Sequence, residues 1–163
     1  MSESVWGIDP GLSQIAVAFA PVDGGRPRTL TLITGSDARE GQRLGWLDRQ
    51  VRIAARQWAG SWPPAAVWVE QPSGRFRNLQ LTYATGVVQA ALFEALAVPV
   101  WTIPSSTWKH RTVGVGNATK PQVRAWVERL GLDVISQDEA DAVAIACAGR
   151  AMLLARSWEA TAA

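Results

Sequence analysis

Cysteine, histidine and lysine are almost missing from this chain of 163 residues: Cys147 and His110 stand alone, and of the sixteen basic residues only Lys109 and Lys120 are not arginine. A single cysteine excludes an intrachain disulfide and suits a reducing, cytosolic setting. Cys147 lies in an alanine-rich helical pattern and reads as a small buried core residue. No apolar run approaches the ~18–20 residues that span a bilayer, so no membrane partner is expected. The opening Met1-Ser2-Glu3-Ser4 lacks the basic region and apolar core of a signal peptide. Neither sign of charge is in large excess, and a formal net charge of +2 does not by itself announce nucleic acid. Internal repeats, low-complexity segments and interdomain linkers are absent too. Residues 1–163 read as one domain, large enough for its own hydrophobic core.

What is present is the composition of a compact soluble protein, 48% hydrophobic and 18% charged. Val5 to Asp9, Ile15 to Val22 and Thr29 to Thr34 read as short strands, with Asp23-Gly24-Gly25 as a turn, so the chain is expected to open with antiparallel hairpins. From Arg39 to Ala59 the period changes: Leu44, Leu47, Val51, Ala54, Ala55 and Trp58 fall at helical spacing, and Trp62-Pro63-Pro64 stops the helix. Ala65 to Glu70 is a strongly apolar strand, Asn78 to Ala97 a second helix and Val98 to Ile103 a further strand. This βαβα alternation implies parallel strands covered by helices, an α/β fold. Pro104 to Thr119 reads as irregular and polar. Helices follow from about Lys120 to Leu130 and from Ser136 to about Arg156, the latter opened by a Ser136/Glu139 capping box.

Four carboxylates fall where one site could collect them. Asp9 ends a strand before Pro10-Gly11, and Gly11, without a side chain, would let a phosphate backbone approach; a plain structural turn is the alternative. Glu70 ends a stretch expected to be buried, where an ionised carboxylate needs a partner or a metal; the alternative partner is Arg75 or Arg77. Asp138 and Asp141 are spaced i, i+3 and share a helix face, although acids are also favoured at a helix N-terminus for the dipole alone. Glu139 points roughly 100° away from Asp138 and is assigned to capping. The alternating alanines from Ala140 to Ala148 suggest a helix packed very close to the sheet edge that carries Asp9 and Glu70. Hard divalent cations prefer oxygen ligands, and two such ions roughly 3.5–4 Å apart can activate water and stabilise a leaving oxygen in phosphodiester hydrolysis. The residues therefore point to a Mg²⁺-dependent nuclease.

In order and spacing, four segments resemble the RuvC-type Holliday junction resolvases of the RNase H-like superfamily. They are Gly7-Ile8-Asp9-Pro10-Gly11, Val69-Glu70-Gln71, Lys109 to Gly116 with Lys120-Pro121-Gln122-Val123, and Asp138-Glu139-Ala140-Asp141-Ala142-Val143-Ala144. The resemblance covers most of the chain. It implies an RNase H-like fold with a mixed five-stranded sheet flanked by helices, a homodimer, and paired nicks across a four-way DNA junction. It also implies that Asp9, Glu70, Asp138 and Asp141 hold two Mg²⁺ ions per active site, with Mn²⁺ as substitute, and that Lys109 and Lys120 are the basic residues beside them. A nearby ammonium would stabilise the extra negative charge of the transition state. The short chain looks like a phage-type member, acting in the cytoplasm of a bacterial or phage-infected cell, and no branch-migration motor is assumed as partner.

The family's usual apolar segment after the glutamate is replaced by Pro72-Ser73-Gly74-Arg75-Phe76-Arg77-Asn78. An aromatic between two arginines suits a wedge that stacks on an unpaired base while the guanidiniums hold phosphates. Gly11, Arg75, Phe76, Arg77, Lys109, Arg111, Lys120 and Arg124 are the expected DNA contacts, and His110 is read as a surface or structural residue. The Asn78 to Ala97 helix is apolar on most sides and offers a face to a second copy. Competing expectations are a nuclease of flaps, forks or RNA-containing substrates, a phosphate-transferring member of the actin-like ATPase fold, and a catalytically silent junction-binding protein.

Overall fold

The computed structural model describes residues 2–35, 40–72 and 79–162. The Arg75-Phe76-Arg77 string lies outside the described residues. Period-two alternation at the start of the chain becomes an antiparallel meander: β1 (Ser4–Pro10) pairs with β2 (Gln14–Pro21), and β2 with β3 (Arg28–Ile33). On the other side of β1, β4 (Pro64–Gln71) and then β5 (Val100–Pro104) add in parallel. The result is one five-stranded sheet of order β3-β2-β1-β4-β5, hairpins first and parallel strands after, as the sequence leads one to expect.

The strand period divides the side chains between two cores. One face presents Trp6, Ile8, Val17, Phe19, Val67 and Val69 to α1 (Glu40–Ser61) and α2 (Leu79–Leu96). Trp6 anchors it: its indole meets Phe19 edge-on at 5.0 Å, and its N–H donates to Ser4 Oγ and to the Trp62 carbonyl, both at 3.0 Å. Such an aromatic pair adds about 0.5–1.5 kcal/mol beyond its buried area.

The opposite face carries α5 (Gln137–Ala162), which extends beyond the expected end near Arg156. Its alanines from Ala140 to Ala148 are almost wholly buried, and Cys147 packs partly buried against the same core. The close approach expected of this helix is centred on Gly7 of β1. A Cβ there would collide with the backbone of Ala142 and Ala146, so only glycine lets the helix axis come this near the sheet. Ser136 caps α5 by accepting the Glu139 N–H at 3.1 Å, while the Glu139 carboxylate accepts the Ile135 N–H at 2.7 Å and the Thr31 hydroxyl at 3.3 Å. Capping is therefore the work Glu139 does, and it also ties β3 to the start of the helix.

Residues 105–113, read as irregular, form the helix α3 (Ser105–Val113), followed by α4 (Lys120–Arg129). The helix is polar almost throughout, and its only buried residue is Trp108, so no apolar stripe marks it in the sequence. It is bounded instead by its ends: Pro104 precedes it, and Gly114 closes it in the left-handed region, φ 95°. Helix α4 starts with a capping box between Thr119 and Gln122. β5 begins at Val100 rather than Val98, after a turn that sets Ala97 at φ 53°.

Candidate active site

Register brings the first two acids together. β1 and β4 run parallel with Ile8 beside Val69, so the next residues, Asp9 and Glu70, lie side by side one residue before the ends of adjacent strands. Alternation puts Asp9 on the same face as Gly7, the face that α5 covers. With Ala142 and Ala146 seated over Gly7, the preceding turn of α5 carries Asp138 and Asp141 to the same end of the sheet. Gly11 lies in the turn that follows Asp9, and a Cβ there would collide with the Gln14 carbonyl. The turn itself thus requires this glycine. Arg43 of α1 donates to the Leu12 carbonyl and Thr34 Oγ1 donates to it at 3.4 Å, which fixes the turn from both sides.

The electrostatics report the convergence. Asp9 is pushed well above the usual carboxylate range, first by burial and then by the charges of Glu70, Asp141 and Asp138. Glu70 is raised, again mainly by burial, against the opposing effects of the Trp108 indole N–H, a hydrogen bond with Asp9 and the Lys109 charge. Asp141 is pushed up to about 6 by burial and by Glu70, while Gln137, Lys109 and Lys120 pull the other way. Both lysines are therefore within electrostatic reach of the acids, Lys109 from α3 and Lys120 from the first turn of α4. Four partly buried carboxylates face each other with less positive charge than they need, and all offer hard oxygen donors suited to a divalent cation. As the side chains stand, no group of three or more His, Cys, Asp and Glu residues among the described residues is arranged to hold a metal ion.

Three neighbours of the acids escaped sequence reasoning. Trp108 Nε1 donates to Glu70 Oε1 at 3.1 Å, Gln14 Nε2 to Asp138 Oδ2 at 2.6 Å and Gln137 Nε2 to Asp141 Oδ1 at 2.7 Å. Gln137 was legible, since Gln and Asp at i, i+4 on a helix are known to pair. Gln14 and Trp108 were not, because their bonds depend on hairpin register and on a helix the sequence hides. The partners considered for Glu70, Arg75 and Arg77, lie with Phe76 outside the described residues. Of the remaining expected DNA contacts, Arg111 is exposed in the last turn of α3, as is His110 beside it. Arg124 is half-buried and donates to the Val134 carbonyl at 3.2 Å, tying α4 to the loop before α5.

A mixed five-stranded sheet of this order, flanked by helices, is the RNase H-like architecture of the α/β class. Within it, the chain belongs to the family of crossover junction endodeoxyribonuclease RuvC, whose model matches residues 5–149. A RuvC from Nocardia farcinica is 35% identical over 93% of this chain and 84% of its own length. Among solved structures, that of Thermus thermophilus RuvC superposes with a TM-score of 0.72 at 29% identity, covering 89% of this chain and 92% of that one. The T. thermophilus RuvC complex with a Holliday junction substrate gives the same TM-score at 28% identity, over 90% and 92% of the two chains.

Proposed function

We propose that this chain is a single-domain, Mg²⁺-dependent endodeoxyribonuclease that resolves four-way DNA junctions by paired symmetric nicks, acting as a homodimer. The observation that carries the reading is the meeting of Asp9, Glu70, Asp138 and Asp141 from three separate elements, with Lys109 and Lys120 in electrostatic reach. The four acids are the residues that would hold two Mg²⁺ ions, or Mn²⁺ in their place. Bound there, the ions would supply an activated water and stabilise the leaving oxygen.

The chain's own residues account for the rest. Asp9 and Glu70 sit on adjacent strands of the sheet, and Asp138 and Asp141 on a helix packed on that sheet, so the backbone that carries the four acids is built before DNA arrives. Lys109 and Lys120 put ammonium groups beside the acids, where negative charge grows on the phosphate. Gly11, Arg111 and Arg124, with Arg75, Phe76 and Arg77, which follow β4 in sequence, are assigned to DNA. Leu79, Tyr83 and Phe93 leave an exposed apolar side on α2, which supports its use as the dimer contact. Two-fold symmetry would then present two sites to two equivalent strands. A phage-type member in the cytoplasm of an infected cell fits the reading as well as a bacterial one, because the site does not depend on which genome encodes it.

The test is cleavage of end-labelled four-way junction, three-way, flap and linear duplex DNA with Mg²⁺ or Mn²⁺, alongside Glu70→Gln. Symmetric nicks in opposing junction strands, lost with EDTA and in the variant, are the expected result. One-sided nicks or cutting confined to flaps would move the function to a monomeric or debranching nuclease, and tight binding without cutting would make the chain a junction-binding protein.

A further inference from the structure

Helix α3 is nine residues long and rests on one buried side chain, Trp108, which is 0% exposed. A plug for the core could be any large apolar residue, and a buried indole needs a partner for its N–H. Trp108 finds that partner in Glu70, whose Oε1 accepts at 3.1 Å. The donor is neutral and does not titrate in water, so it orients the carboxylate without cancelling the charge that a cation needs. The indole bond occupies Oε1, beside the hydrogen bond that Glu70 shares with Asp9.

The ring does separate work. Lys109 Nζ lies 5.3 Å from the centroid of the Trp108 ring, a cation–π distance. The same ammonium lowers the pKa of both Glu70 and Asp141. One indole therefore holds an acid by its edge and a lysine by its face, and the backbone of α3 fixes the offset between them. Gln14 and Gln137 serve Asp138 and Asp141 in the first manner only.

We propose that Trp108 is a positioning residue of the active site, setting the Glu70 carboxylate through its N–H and the Lys109 ammonium through its ring. This rests on the metal-nuclease reading above and goes beyond it in assigning a role to a residue outside the acid and lysine set. Trp108→Phe keeps most of the buried volume and an aromatic face while deleting the donor; Trp108→Leu deletes both. Mn²⁺ binding by titration calorimetry, without DNA, is the primary readout, and single-turnover junction cleavage the second. Losing an outer hydrogen bond to a metal ligand weakens metal binding or activity about 10–100-fold. Trp108→Phe should therefore weaken Mn²⁺ binding by about 10-fold or more and lower kcat, with KM for the junction unchanged. In a Glu70→Ala background, which offers the indole no oxygen, the same substitution should cause no further loss of Mn²⁺ affinity. Trp108→Leu should add the cleavage defect of Lys109→Ala to that of Trp108→Phe.

With Trp108 intact, its indole N–H resonance should shift on adding Mg²⁺ to the wild type and on the Glu70→Ala substitution, a readout that survives if the Trp108 variants fail to fold. Wild-type Mn²⁺ affinity and kcat in a folded Trp108→Phe, equal losses with and without Glu70→Ala, or an indole resonance indifferent to Mg²⁺ and to Glu70→Ala would overturn the proposal alone. Absence of Mn²⁺ binding by the wild type would overturn the metal-nuclease reading together with it.

Discussion

Replacing Gly7 by alanine tests whether the geometry of the acids is set by the contact between α5 and β1. An added Cβ would lie 2.8 Å from the Cα of Ala146, besides colliding with the Ala142 carbonyl and the Ala146 nitrogen. Carbon atoms pack best at about 3.5–4.0 Å, so the helix must retreat by about 1 Å. The obstacle is backbone, so no rotamer change relieves it, and Ala146→Gly should not rescue. Overpacking of this kind costs about 1–3 kcal/mol. The larger effect falls on function, because the helix that retreats carries Asp138 and Asp141 while Asp9 and Glu70 stay with the sheet. A displacement of about 1 Å at reacting groups can cost on the order of 10²-fold in rate. Urea denaturation in EDTA should show a folded variant with a lowered midpoint, and single-turnover cleavage of a four-way junction under native conditions should fall by about 10²-fold. A folded Gly7→Ala protein with wild-type kcat would refute the idea that this contact spaces the acids, even if its stability were reduced.

Other expectations follow from the charges. Glu70→Gln keeps an oxygen for the Trp108 indole and removes one of the crowded negative charges, so in EDTA at pH 8 it should be more stable than wild type by about 1 kcal/mol, yet fail to cut; a loss of stability in urea melts would make Glu70 a structural residue. Asp9 and Asp141 bind protons more tightly folded than unfolded, so the stability they contribute is present at acid pH, below their ordinary values, and is lost as pH rises, for Asp141 through about 6. For Asp141 this amounts to about 1–2 kcal/mol once screening by solvent is allowed for. Unfolding in EDTA between pH 4.5 and 8 should show it, and Mn²⁺ affinity measured by calorimetry should rise across the same interval; a pH-independent affinity would separate these acids from the metal. Lys109→Ala and Lys120→Ala should depress junction cleavage by about 10²-fold while changing junction binding little, and equal losses in gel-shift and cleavage assays would make both lysines ordinary phosphate contacts.

Much of the site could be read from local chemistry. Asp9 and Glu70 stand out because an ionisable group closes an apolar strand, and Asp138 and Asp141 because their spacing fits one helix face. The alanines from Ala140 to Ala148 announce close packing, and Gly7, two residues before Asp9, is the position that answers it. What stayed hidden was set by tertiary contacts. Helix α3 has one buried residue, so its hydrophobic pattern is indistinguishable from a loop containing a tryptophan. The bond from Gln14 to Asp138 joins residues 124 positions apart in sequence and depends on the β1–β2 hairpin delivering Gln14 to the start of α5. The sequence shows that Gly11 leaves room for an approaching backbone, but not that the turn itself requires it, because the Gln14 carbonyl occupies the space a Cβ would need.

The near absence of lysine has a practical outcome. The chain has only two ε-amines, and both act electrostatically on Asp141. A reagent that acylates lysine in most proteins decorates surfaces at random; in this one, apart from the α-amine, it can attach only beside the acid cluster. Amine chemistry therefore becomes a site-directed tool. A fluorophore coupled through Lys120 in a Lys109→Arg background would sit at the mouth of the site and report directly on the arrival of DNA.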